Sequence, residues 1–557
     1  MDPYRKRMGE IVRIAAARAW RQPLLSSGLW FHGDIRDNFY YASYLFAASV
    51  NLAEEPPFDR REGKEVAEKV LLRVLSLQDA KADSPMYGHW PLGLNPVPEQ
   101  AAPHVLPAEL MSSLMAYFAH AYGSQLSPEL AEPFEIALSH AYRGGFFHKP
   151  LRDYGHHEAK YTAAKLIFGQ RYEDAALFED GRRCLQDTLA HIRREGMAEY
   201  GSLPWFWHWI QAFTCAWTLV EEAEVKDELS EMLDHLWHIR AAYYLKGAWV
   251  GVHSREWPHD APRDANVLHD YVQFGDFALP EEMPRTEYAG LLFYEAPEPA
   301  RRRALERSNP AEVCAAVAKE IEGEKRRLHS YAYITGQFAA GGMWERVKEF
   351  DNEQLRWLFS LPVRRGGKGN QLYFFHPGDG YDPSGNDPRH QSEWTSAMYH
   401  KNVVMALYRL PERVPGQVIG VLPEGDWRFA ANGIFGKAED AYFAVFVNCA
   451  YEVRQRDGYL LVEVSGRSVG VAVEAVGVPD ADRRGIAGLD DFASALHARA
   501  PRFEIGGAAG SLRAAYTSFA EDAKLSLSVH GPGDPGDPQV NGERVSMERY
   551  VYSVIPK

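Results

Sequence analysis

DAYFAVFVNCAYEV (440–453), RDG (456–458), YLLVEVSG (459–466) and RSVGVAVEAVG (467–477) follow one another closely. They are short β-branched and aromatic runs divided by turn dipeptides, the pattern of antiparallel hairpins. The tail, from KLSLSV (524–529) to ERYVYSVIPK (548–557), continues it, with HGPGDPGDPQVNG (530–542) read as a loop within the same region. Working back towards the N-terminus, HSYAYITG (329–336), NQLYFF (370–375) and NVVMALYRL (402–410) read as strands, and NEQLRWLFSL (352–361) fits helix or strand.

Before that the periodicity changes. Leu110, Met111, Leu114, Met115 and Phe118 recur at helical spacing, as do Leu185, Leu189 and Ile192, then Leu229, Leu233, Leu236 and Trp237. SPEL (127–130) and GSLP (201–204) supply caps and breaks between helices. The expectation is an α+β multidomain protein. Residues 1–325 form an (α/α) toroid that carries the chemistry, and 326–557 form an antiparallel β-sandwich.

Composition narrows the partners. A formal net charge of −15 over 557 residues argues against a nucleic-acid binder, which presents a basic face. Aromatic residues make up 13% of the chain, enough both to fill a core and to line sugar subsites. Cys184, Cys215, Cys314 and Cys449 are far apart and form no CxxC pair, so neither structural zinc nor a disulfide framework is expected. The first helix, MDPYRKRMGEIVRIAAARAW, is amphipathic and interrupted by charges, unlike a signal peptide, and no run is long enough to span a bilayer. A cytoplasmic protein that binds no membrane is the expectation, and its oligomeric state is left open.

Four stretches concentrate hydrogen-bonding groups among rings: YGHWP (87–91), YGHHEAKYTAAKLIFGQ (154–170), GMAEYGSLPW (196–205) and GVHSREW (251–257). In order and setting they resemble the two-domain toroid polysaccharide lyases of the heparinase, alginate-lyase and chondroitin-lyase kind. That resemblance implies cleavage of uronate-containing oligo- or polysaccharides by β-elimination, without a cofactor. Such chemistry needs a donor that neutralises the uronate carboxylate, a base that takes the adjacent proton, and an acid for the leaving oxygen. His156 and His157 stand where the lyases carry an Asn-His pair. His253 is the expected base and Arg255 the expected partner of the substrate carboxylate, its guanidinium offering a two-pronged donor. Trp257 stands where an aromatic hydroxyl is usual, so Tyr200, Tyr154 or Tyr271 must supply the phenol. Glu199, Trp205, His208 and Trp257 are expected to line the sugar subsites. By the same resemblance His390, Gln391 and Trp394 lean over the toroid's mouth from the β-domain.

Alternatives remain at this level. A glycoside hydrolase would draw paired carboxylates from Glu199, Glu256, Asp260 or Asp34, and a non-catalytic sugar binder would keep only the cleft. His253, His259 and His269 with Asp260 or Asp264 could gather a metal, but scattered loop histidines are more often not ligands, and no metal is expected. HExxH and GxxxxGK[ST] are missing, and GGAAG (506–510) lacks the strand–helix setting of a phosphate loop.

Overall fold

The computed structural model describes residues 2–255, 260–307, 309–347, 354–377, 381–382, 384–385, 394–506 and 510–554. Its first part is helical: α1 (Pro3–Arg21), α2 (Ile35–Val50), α3 (Arg60–Ser76), α4 (Val105–Tyr122), α5 (Pro128–Gly144), α6 (His156–Arg171), α7 (Ala175–Glu195), α8 (Leu203–Leu219), α9 (Ala223–Ala242), α10 (Leu268–Gln273) and α11 (Glu298–Leu305). The even helices α2, α4, α6 and α8 are buried on nearly every side, whereas α3, α5 and α7 bury one stripe and expose the other. This is the signature of an inner and an outer row. Contacts run α2–α4–α6–α8 along the inner row, each inner helix touches its outer neighbour, and α1 packs on α10. The helical toroid expected from the sequence is present.

The β region opens at Ala311 instead of near 326, because Ala311–Ile321 pairs along its whole length with Glu324–Ile334. An eight-stranded sheet runs, in spatial order, Tyr451–Arg456, Tyr459–Ser465, Gln417–Pro423, Gln371–Phe375, Trp357–Ser360, Ala339–Met343, Glu324–Ile334 and Ala311–Ile321. The ambiguous 352–361 stretch therefore contains a strand, Trp357–Ser360. A six-stranded sheet centred on Ser468–Gly477 packs against it, and a five-stranded sheet beginning at Arg502–Gly506 covers the far side. That last sheet takes in Asp537–Val540, so part of the expected 530–542 loop is strand. Two short helices, α12 (Val478–Arg483) and α13 (Leu489–His497), interrupt the β region.

Layering explains the sequence patterns. Ser468–Gly477 lies between two sheets and is buried from Val469 onward, so its apolar run does not alternate. The eight-stranded sheet does alternate. Tyr331, Phe359 and Phe374 face the sandwich core, while Ala332, Leu358, Tyr373 and Phe375 face the other way. Ala332, with Val313 and Ile334, meets Leu245 and Val250 of the helical part, and Val317, Leu328 and Met343 meet Val252. One sheet face thus forms the floor under the segment that leads to Arg255. Among the described residues no helix is long and apolar enough to cross a membrane.

Candidate active site

The first turns of α2, α6 and α8 and the second turn of α4 open on a common mouth, and each contributes an ionisable or aromatic group. At its centre is Glu199, just before α8. One oxygen accepts the His156 backbone N–H at 2.6 Å and the Trp209 indole N–H at 3.0 Å; the other faces His156 Nδ1 at 2.5 Å and Arg255 Nη1 at 3.3 Å. A carboxylate only accepts, so His156 Nδ1 carries the hydrogen and Nε2 is left with its lone pair. Burial, with the charges of Lys160 and other neighbours, holds the His156 ring well below the usual histidine range, so it is neutral. A neutral imidazole oriented by a carboxylate is the form that removes a proton.

Arg255 lies over the Trp205 ring, its guanidinium carbon 4.8 Å from the ring centre. His156 is edge-on to the same ring at 6.0 Å and 5.5 Å from His208. His208 Nε2 lies 3.7 Å from Glu287, which also pairs with Arg285 at 2.9 Å. Burial pushes His208 down to about 4. Burial opposes ionisation of Glu287, but Arg285 and His208 outweigh it and hold the carboxyl down to about 2. Beside His156, His157 Nδ1 meets Glu109 at 2.6 Å; Lys160 and the Tyr161 hydroxyl also reach Glu109 at 2.6 Å. Burial works against the charge on Glu109, yet Lys160 and His157 keep it ionised.

The structure therefore brings together His156, His157, Glu199, Trp205, His208 and Arg255. It places the other expected site residues elsewhere. Tyr200 turns away from Glu199 and packs towards Val252, Val317 and Leu328, its hydroxyl accepting from Gln354 Nε2 at 3.1 Å. Tyr154 stacks on His191 of α7 with ring centres 3.7 Å apart. The Tyr271 hydroxyl donates to Glu10 at 2.7 Å. His253 is buried between the Gly251 carbonyl, 3.1 Å away, and Asp264, 3.5 Å away, while its backbone pairs with Leu355 of the β region. Trp394 packs on the sandwich core under Arg413. Trp257, His390, Gln391, Glu256 and His259 lie outside the described residues. Asp260 is buried and accepts from Asn266 and the backbone of Ala265, a loop brace away from the mouth. No cluster of three or more metal-ligating side chains occurs among the described residues.

Glu109, Lys160, Arg285 and Glu287 escaped the sequence reading. The available signal was a charge inside an otherwise buried inner helix: Glu109 in AELMSSLM, Lys160 in EAKYTAAK. A buried charge needs a partner, and here the two find each other.

No family model matches the chain, and no curated protein matches it in sequence. Solved structures similar to it include a chondroitinase AC lyase described with oligosaccharide complexes, at TM-score 0.42 and 8% identity, covering 98% of this chain and 99% of that one. The chondroitin AC lyase of Streptomyces coelicolor A3, in complex with chondroitin sulphate, aligns at TM-score 0.47 and 9% identity, covering 97% and 89%.

Proposed function

We propose that this chain is a polysaccharide lyase acting on uronate-containing glycans. The observation that carries the reading is the Glu199–His156 pair, with Arg255 stacked on Trp205 against the same carboxylate. Trp205 offers an apolar face for a sugar ring. Arg255 meets the uronate carboxylate and neutralises the charge that would otherwise oppose carbanion formation. His156 Nε2 takes the proton from the carbon bearing the carboxylate, and Glu199 stabilises the imidazolium so formed. The electron pair first spreads into the carboxylate, then forms the ring double bond as the bond to the 4-linked oxygen breaks.

The test is a panel of uronate-containing glycans followed by ultraviolet absorbance and reducing-end assays. Elimination gives both an absorbing unsaturated uronide and a new reducing end. Hydrolysis gives reducing ends without absorbance, and a non-catalytic binder gives neither; either result overturns the reading.

A further inference from the structure

Elimination leaves the departing oxygen in need of a proton, and none of the expected tyrosines lies with His156 at the mouth. We infer that Asp37, in the first turn of α2, is the acid that protonates the leaving glycosidic oxygen. The assignment rests on the elimination proposed above.

Each cation at the mouth has a carboxylate: Arg36 with Asp34 at 2.6 Å, Lys160 with Glu109 at 2.6 Å, Arg285 with Glu287 at 2.9 Å, Arg255 with Glu199 at 3.3 Å. Asp37 has no such partner among the described residues. It enters no ion pair and its side chain makes no hydrogen bond among the described residues, although it sits half-buried on an inner helix. The charged and titratable groups that act on it are Asp34, Arg36 and Tyr41 of its own segment, with Arg285 and Glu287 across the mouth. Glu287 leads through His208 to His156. Burial, then the charge of Asp34, pushes the Asp37 carboxyl up to about 6, with Arg285 and Arg36 acting against the rise. Removing its proton would leave the mouth with an unpaired negative charge, so it holds that proton where other carboxyls lose theirs.

The step balances. His156 gains the proton from carbon, the carbon–oxygen bond breaks, the ring double bond forms, and Asp37 gives its proton to the oxygen. Solvent then returns His156 and Asp37 to their starting states. Activity needs His156 neutral and Asp37 protonated, so it falls on the alkaline side as pH rises through about 6.

Asp37→Asn tests this on two substrates: a natural uronate glycan, and a uronide whose 4-oxygen carries a nitrophenyl group, which leaves without a proton. Turnover of the glycan should fall roughly 10²–10⁴-fold. Turnover of the nitrophenyl uronide should stay near wild type, with the alkaline limb at about 6 absent on this substrate for both proteins. Since the Asp37 side chain makes no hydrogen bond among the described residues, the thermal melt should hold. Unchanged turnover of the glycan, or an equal loss on both substrates, overturns the assignment. If the wild-type enzyme yields no unsaturated product from either substrate, the elimination reading itself fails and the assignment with it.

Discussion

Replacing Glu199 by glutamine probes the pair on which the site is built. The carboxylate receives donors from the His156 backbone, the His156 ring, Trp209 and Arg255 at 2.5–3.3 Å. An amide keeps one acceptor oxygen and turns an NH₂ towards the rest. Hydrogen bonds to charged groups contribute about 1.5–3 kcal/mol each, so losing one or two lowers stability by about 1.5–6 kcal/mol. The effect on chemistry is larger. Facing an NH₂, the His156 ring moves its hydrogen to Nε2, the atom that must be a lone pair, and turnover should fall roughly 10²–10⁴-fold. Steady-state kinetics on an active glycan, with thermal melts of both proteins, measure the two effects separately. If Glu199 served only as a helix-terminal charge for α8, the loss would be about 0.3–1 kcal/mol with turnover intact. That outcome would refute the reasoning.

Two further substitutions separate scaffold from site. Arg240→Ala leaves Asp270 buried without its partner, 2.7 Å away, and frees the carbonyls of Tyr243, Gly247 and Ala248; it should cost about 3–5 kcal/mol by chemical denaturation, and an unchanged midpoint would contradict it. His253→Ala removes a ring held between Gly251 and Asp264, so it should lower stability by about 1–3 kcal/mol while turnover per folded molecule stays within a few fold. A hundredfold drop in turnover with an unchanged melt would return His253 to the role of base.

The switch from helical to strand periodicity was legible because the two halves bury their apolar residues differently. The boundary near 311 was not: Ala311–Ile321 is alanine-rich and, with six of its positions not fully buried, lacks a clean alternation. Within the site, Glu199 and Tyr200 are neighbours whose side chains part, one to the mouth and one to the sheet, and sequence carries no sign of which goes where. Arg255 reaches Glu199 while His253, two residues earlier, does not, because Arg255 adopts a left-handed backbone (φ +57°) that redirects the chain. Gly201 has φ +64°, and a Cβ there would lie 2.1 Å from the Val252 carbonyl oxygen. The backbone of Ser254 also donates to Gly201 at 2.8 Å, so the Glu199 and Arg255 segments meet too closely for a side chain. Asp37 stayed invisible because its significance is relational: among the described residues its carboxyl faces the mouth's ion pairs without joining one.

The central claim is that His156 removes the proton. It is tested most directly by the rate at which His156→Ala forms ultraviolet-absorbing product, against wild type at equal concentrations of folded protein on the best glycan of the panel. The account predicts a fall of at least roughly 10²-fold, the usual contribution of a positioned base, with reducing-end formation falling in parallel. A variant that releases unsaturated product at the wild-type rate would contradict it.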